Sequence, residues 1–328
     1  LQTANQAEDK FEGVSRVEVL TKGQKRKKGN HKRYIPLFLM MIPGLLYLLI
    51  NNYIPMIGLF IAFKNINFQL GFFESPWAGL QNFKYLFASS NAFIITRNTL
   101  LYNTAFIIID TTAAITLAIL LNEITKKIVM RIYQTVILMP YLFSMVIVSY
   151  LVYALLSVDN GFIDKSILPL FGMEPISWYS EPLYWIFILP LAKLWNQAGF
   201  LCIVYLASIV GIDKEYYEAA KLDGASKWKQ IQLITLPLIK PVVIIMVLFS
   251  IGKIFYSDFG LFYQIPLNSG ALYPTTNVID TYVYRGLLQL GDIGMSSAAG
   301  FYQSIVGFIL VLVSNLVVRK VSPENALF

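Results

Sequence analysis

Residues 218–237 read Glu-Ala-Ala-Lys-Leu-Asp-Gly-Ala-Ser-Lys-Trp-Lys-Gln-Ile-Gln-Leu-Ile-Thr-Leu-Pro, and they lie between two apolar stretches of membrane length. A segment carrying Lys221, Lys227 and Lys229 cannot rest in hydrocarbon, so it is a loop with structure of its own. Residues 214–223 favour helix, with Asp213 placed to cap the first turn. Gly224 then ends that helix, because glycine takes the left-handed conformation without steric cost. A second short helix is expected from about 226, capped by Ser226, with Trp228, Ile231, Leu233 and Ile234 on one side. Leu236-Pro237 is expected to stop it, and Pro241 to fall in the first turn of the next apolar stretch. The product is a helix–turn–helix beneath a membrane. Ala219 and Ala220 permit close approach of a partner surface, and Glu218 offers it a charge.

The rest of the chain supplies the membrane part. Its 328 residues are 56% hydrophobic and 14% charged, with a mean hydropathy of +0.60; a soluble protein carries about 25% charged residues. Six stretches, near 35–55, 99–121, 133–156, 183–210, 238–257 and 298–318, can each span a core that takes about 20 helical residues. Lipid offers no partners to free backbone groups, so an all-α polytopic bundle of about six transmembrane helices is expected. Pro36, Pro43, Pro55 and Asn51-Asn52 interrupt the first stretch and blur its outer end, and Pro190 marks a kink in the fourth.

Nineteen of the Lys and Arg residues fall on the side of the N-terminus if that terminus is cytoplasmic, and five on the other. This bias places both termini in the cytoplasm. It also explains the net charge of +7 by topology, without nucleic acid. The organisation expected is a basic tail over 1–34 containing Lys25-Arg26-Lys27-Lys28, a membrane domain over 35–320 that holds the loop 213–237, and a cytoplasmic end over 321–328. A cleaved signal peptide is not expected, since the first apolar run is too long and no small-residue cleavage site follows it. The sequence opens on Leu1, consistent with residues trimmed ahead of it.

Bond-breaking chemistry has no visible seat. A single cysteine, Cys202, excludes an intrachain disulfide, and with His31 as the lone histidine a zinc site of those residues is not expected. No phosphate-cradling Gly-x-x-x-x-Gly-Lys-Ser/Thr occurs; Gly252-Lys253 is followed by Ile254. No nucleophile elbow and no His-Glu-x-x-His pair is present. The chain is therefore read as non-catalytic, with no cofactor of its own.

Charges inside apolar stretches are the remaining functional signal. Lys193, Lys253 and Asp110 each cost roughly 2.5–3.5 kcal/mol at mid-helix, so they face protein or water. Two readings stand: pairing with Asp110 and Asp258, or a path in which Lys193 and Lys253 meet an anionic solute. Trp195, Asn196 and Gln197 follow Lys193, and Tyr256 follows Lys253. That mixture suits a weakly binding sugar path, and equally belt aromatics and packing polar groups.

The spacing of Glu218-Ala219-Ala220, three residues, Gly224, nine residues, Ile234, one residue and Leu236-Pro237 resembles the EAA signature of permease subunits of bacterial binding-protein-dependent ABC importers. Gly79-Leu80-Gln81-Asn82-Phe83, Arg97-Asn98-Thr99-Leu100, Tyr205-Leu206-Ala207 and Ile212-Asp213 resemble the carbohydrate branch. The stretch Asp280-Thr281-Tyr282-Val283-Tyr284-Arg285, with Ala299-Gly300-Phe301, Ser304-Ile305-Val306-Gly307 and Asn315, is similar to the subgroup for complex oligosaccharides, alginate oligosaccharide importers among them. The resemblance implies a type I importer permease fold with cytoplasmic coupling helices in the bacterial inner membrane. It implies a second homologous permease subunit, two ATPase subunits holding Mg-ATP, and a periplasmic or lipid-anchored solute-binding protein. Glu218, Ala219, Ala220, Gly224, Ile234, Leu236 and Pro237 would then couple to the ATPases. An acidic oligosaccharide fits the subgroup; a neutral sugar, an amino acid, a peptide or an ion-driven transporter are the alternatives.

Overall fold

The computed structural model describes residues 34–321. The expected basic tail, Tyr34 apart, and the residues after Val321 lie outside the described part. The architecture is all-α: among the described residues the one β-type pairing is an isolated bridge between Lys64 and Trp77. Five helical stretches are long and apolar enough to cross a membrane: α1 (Ile35–Phe63), α3 (Ser90–Asn122), α6 (Pro182–Val210), α8 (Lys227–Gly252) and α11 (Ile293–Lys320). A sixth crossing exists if α4 (Lys127–Leu138) and α5 (Met145–Leu156) count as one span. The expected straight span over 133–156 is thus a bent pair, with 97° between its arms. Pro140 sits in the 3-10 turn Met139–Leu142 at the bend, and Ser144 caps α5 by accepting from the Ile147 N–H.

The described residues divide into two units, 34–58 and 59–321. In the first, Ile35–Leu48 is apolar on every side and buries none of its residues, the condition of a helix facing lipid. In the second, α3 and α6 run along each other. Cys202, Tyr205, Leu206 and Ile209 of α6 pack on Ala114, Ala118 and Leu121 of α3 and on Ile239 of α8. Further along, Tyr102 and Phe106 of α3 meet Trp185 and Leu189 of α6 and Leu261 and Phe262 of α9 (Phe259–Gln264). A third cluster joins Leu86 of α2 (Gln81–Ala88) to Ile95, Phe255, Ile279 and Ala299.

Several prolines expected to stop or interrupt helices do neither. The prolines at 55, 169 and 237 each follow, by two residues, the end of a π-turn: Leu49–Tyr53, Ile163–Ile167 and Ile231–Thr235. A proline clashes with the carbonyl four residues back. The i→i+5 bonds of the π-turn, as in Ile54 N–H to Leu49 O and Leu236 N–H to Ile231 O, widen the helix by one residue just ahead of each proline, and the helix continues through it. The first span therefore runs through Pro43 and Pro55 to Phe63, and Leu236-Pro237 does not end the second helix of the loop. Pro241 lies inside α8 rather than in its first turn, and Pro190 lies inside an unbroken α6.

The fifth span stops earlier than its hydropathy implies. Its helix ends at Gly252, and Lys253 is its C-cap, where a cation meets the negative end of the helix dipole. The following turn is held by side chains from three helices. Asn103 donates to Ile254 O at 2.8 Å, Gln303 to Phe255 O at 2.8 Å, and Asp280 accepts from Ser257 N–H at 2.7 Å. Asp280 belongs to α10 (Ile279–Leu288) and Gln303 to α11. This supply of partners lets a non-helical turn sit within the bundle. Burial pushes the Asp280 carboxyl up from its ordinary range, against the pull of the bonds from Ser257 and Gln303.

Candidate functional site

Two sites emerge. The first is the hairpin formed by α7 (Lys214–Leu222) and the start of α8. The Asp213 side chain accepts from the Glu215 N–H at 3.1 Å, as its position predicts. Gly224 has φ +75°. Its N–H donates to Lys221 O at 3.0 Å and the Ala225 N–H to Ala220 O at 2.8 Å. This pair of bonds is the Schellman closure of a helix. Ser226 caps the second arm through the Lys229 N–H at 3.4 Å. The Tyr217 and Thr235 hydroxyls bond at 2.9 Å and tie the arms together. Lys227 reaches Glu123 at the end of α3, at 2.7 Å.

The hairpin is thus internally closed but outwardly bare. Glu218 and Ala219 are exposed and Ala220 half-buried. Leu222 is 90% exposed and Trp228 65%, side chains too apolar to be left to water without a partner. Ile234 is half-buried, while Leu236 and Pro237 lie on the exposed side. The second arm does not stop before the membrane, since Lys227–Gly252 is one helical stretch. At 1.5 Å per residue it extends about 39 Å, so its far end lies beside the second site.

That second site is a cavity of about 370 Å³ lined by α3, α6, the end of α8 and the turn after it. Lys193, Lys253, Tyr256, Asp110 and Asp258 all face it. Lys193 Nζ lies 3.2 Å from Asp258 Oδ2 and 5.9 Å from the Phe106 ring centre. Asp258 also caps α9 by accepting from the Leu261 N–H at 3.1 Å. Lys193 therefore pairs with Asp258 rather than Asp110. The cavity balances two ammonium groups against two carboxylates, and Lys253 has no ion-pair partner among the described residues.

Trp195 and Asn196 are not brought to this cavity. At about 100° per residue, Trp195 lies on the opposite side of the helix from Lys193, while Asn196 shares its side but is turned to another partner. The buried Asn196 donates to Pro140 O at 2.7 Å and secures the bend between α4 and α5. Trp195 lines apolar grooves instead, with its ring 6.2 Å from that of Phe143. Gln197, which follows Trp195 and Asn196 in sequence, does line the cavity, and Asn103, Thr111 and Ser250 line it without having been singled out. The signal was available: Asn103, Phe106, Ile107, Asp110 and Thr111 recur at i, i+3, i+4, i+7 and i+8, one face of a helix.

A polytopic helical bundle with a capped polar hairpin, and a cavity into which two lysines and two aspartates face, has the parts of a membrane transport component. Residues 110–323 match the family described as binding-protein-dependent transport system inner membrane component. The chain belongs to that family: it is a non-catalytic, multi-pass permease subunit of an ABC importer, in the inner membrane.

The chain is 36% identical over 317 residues to the polygalacturonan/rhamnogalacturonan transport system permease protein YteP of Bacillus subtilis, covering 94% of this chain and 95% of that one. It is 36% identical over 290 residues to protein LplB of Bacillus subtilis, covering 88% and 90%. A solved structure similar to it is a chain of a bacterial ABC transporter involved in import of the acidic polysaccharide alginate. The TM-score is 0.81 at 32% identity, covering 89% of this chain and 97% of that chain. A related structure of the alginate transporter, in complex with an alginate pentasaccharide-bound periplasmic protein, gives 0.80 at 32% identity, covering 89% and 96%.

Proposed function

We propose that this chain forms half of the translocation path of an importer for an acidic, uronate-containing oligosaccharide, driven by partner ATPases through the hairpin 213–237. The observation that carries the coupling is mechanical. A closed hairpin with exposed Leu222 and Trp228 continues without interruption into α8, whose other end carries Ser250 and Lys253 at the cavity wall. An ATPase groove that takes up α7 can therefore displace the cavity wall through one rigid element. Differential contact with the two nucleotide states supplies the bias, since equal contact with both would shift nothing. Glu218, Ala219, Ala220 and Gly224 form the seated surface; Ile234, Leu236 and Pro237 lie where the lever enters the span. Mg-ATP is bound by the ATPases, not by this chain.

The substrate class rests on similarity to a polygalacturonan/rhamnogalacturonan permease and to a transporter of the acidic polysaccharide alginate, and on Lys253, whose ammonium has no ion-pair partner among the described residues and can meet a sugar carboxylate. A solute-binding protein delivers the sugar, on the pattern of the alginate complex, by docking on the loops 64–97, 158–182 and 259–297. A second permease subunit closes the path, and the Lys and Arg bias places both termini in the cytoplasm.

Reconstitution with both permeases, the ATPases and the binding protein in proteoliposomes tests this reading. Glu218→Lys is expected to leave assembly intact, while uptake and sugar-stimulated ATP hydrolysis fall together. Normal uptake by an assembled Glu218→Lys complex would overturn the coupling role. Equal stimulation by neutral and uronate oligosaccharides would overturn the acidic substrate and leave the importer standing.

A further inference from the structure

The segment after the first span has an unusual distribution of polarity. Between residues 64 and 80 the sequence holds two charges, Lys64 and Glu74, and six aromatic or large aliphatic residues before Ala78: Ile66, Phe68, Leu70, Phe72, Phe73 and Trp77. A soluble loop exposes its charges and covers its rings. Here Glu74 is exposed, but the cation and the rings have changed places. Lys64 is 4% exposed, while Phe68, Phe73 and Trp77 are 74%, 78% and 70% exposed.

The lysine is not buried against a carboxylate among the described residues. Its Nζ donates to Phe72 O at 3.2 Å and Phe73 O at 2.5 Å, and lies 5.2 Å and 5.1 Å from the ring centres of Phe60 and Trp77. Carbonyls and ring faces thus replace water around the ammonium.

The backbone is closed in the same way. Asn65 N–H donates to Pro76 O at 2.9 Å and Ala78 N–H to Phe63 O at 2.8 Å. Ser75 Oγ accepts from Asn67 N–H at 2.9 Å and donates to Gly71 O at 2.6 Å. Asn82 reaches over from α2 to cap Ala62 O at 2.9 Å and Lys64 O at 3.0 Å. A loop that needs little water for its backbone or its cation, and turns its rings outward, suits a medium poorer in water than bulk solvent.

The position in the chain selects that medium. The loop begins at the residue after α1, whose 29 residues span about 40 Å against a hydrocarbon core of about 30 Å. The end of such a helix stands among lipid headgroups, the zone in which aromatic side chains concentrate. We infer that the loop 64–78 is an interfacial anchor, which inserts the rings of Phe68, Phe73 and Trp77 at the headgroup boundary and fixes the depth of the first span. Lipid is the occupant of these rings by direct continuity with the span, which leaves the remainder of the loop, residues 79–97, to the docking of the binding protein. A protein seated on the rings themselves, either the binding protein or the second permease, is the competing occupant.

The test uses the whole importer in proteoliposomes, with Cys202→Ala as background. Phe68→Cys is labelled with an environment-sensitive fluorophore; this ring has no aromatic partner among the described residues, so its loss leaves the Lys64 cage intact. Glu174→Cys, exposed in another loop, is the aqueous reference. Phe73→Cys serves as a second probe if Phe68→Cys fails to assemble. Expected is quenching by lipids spin-labelled at the headgroup or upper acyl chain several-fold above the reference, and iodide quenching several-fold below it. Iodide quenching equal to that of the reference overturns the anchor. So does protection that appears only when the binding protein is added, or that comes without quenching by the spin-labelled lipids, since each would put a protein on the rings. None of these readouts depends on ATP coupling or on the sugar transported.

Discussion

Gly224→Val is the sharpest test of the lever, because its effect can be worked from geometry alone. Gly224 takes φ +75° with no heavy atom within 4 Å of where a Cβ would stand. A side chain there meets no neighbour, so the whole penalty is conformational. A left-handed L-residue costs about 1–2 kcal/mol, and a β-branched one lies at or beyond the upper end. A change of one or two kcal/mol is a factor of about 5–30 in an equilibrium. The closed hairpin should therefore be depopulated by about that factor relative to one in which the bonds from Gly224 and Ala225 are broken. Asn tolerates the left-handed region far better than Val. Uptake and ATP hydrolysis are measured in proteoliposomes at matched amounts of assembled complex. The expected order of sugar moved per ATP is glycine, then asparagine close behind, then alanine, then valine. If Asn and Val are equally impaired, the φ angle is not the cause. If Val matches Gly, the hairpin does not need its closure and the lever fails.

Three further predictions concern the cavity and its scaffold. Lys253→Gln should raise the KM for a uronate oligosaccharide while leaving that for a neutral one unchanged; parallel uptake curves decide, and equal shifts for both sugars would remove Lys253 from recognition of charge. Asn103→Leu withdraws donors from Ile254 O and Tyr256 O. Each orphaned carbonyl costs about 1–3 kcal/mol, which a thermal scan of the purified complex should register as a lower midpoint. Burial raises the Asp280 carboxyl above its ordinary range. Its contribution is then fullest below the ordinary carboxylate pKa and is lost as pH rises through the raised value. Asp280→Asn should flatten that part of the stability profile, and an unchanged profile would remove Asp280 as its source.

The hairpin was legible residue by residue: Asp213, Gly224 and Ser226 each do locally what their chemistry predicts, since caps and turns depend on neighbours within a few positions. The prolines were not, because the helix runs through Pro237 behind a π-turn that no local preference announces. Lys193 was recognised as a costly charge, but its partner lies 65 residues on, just past a turn that hydropathy had placed inside a span. Trp195 and Asn196 were grouped with Lys193 by sequence proximity, where helical angle separates Trp195 and the bond to Pro140 O turns Asn196 away.

Composition, the periodic apolar stretches and the hairpin signature sufficed by themselves for class, span number to within one bend, and the capped hairpin between the last apolar stretches. These follow from lipid solvation and local backbone energetics, which act on each segment separately. Tertiary structure alone decided that α4 and α5 bend by 97°, that Lys193 answers to Asp258, and that Lys64 lies beneath its own loop's rings. Each of these depends on which distant groups are brought within a few ångströms, and no local preference encodes that.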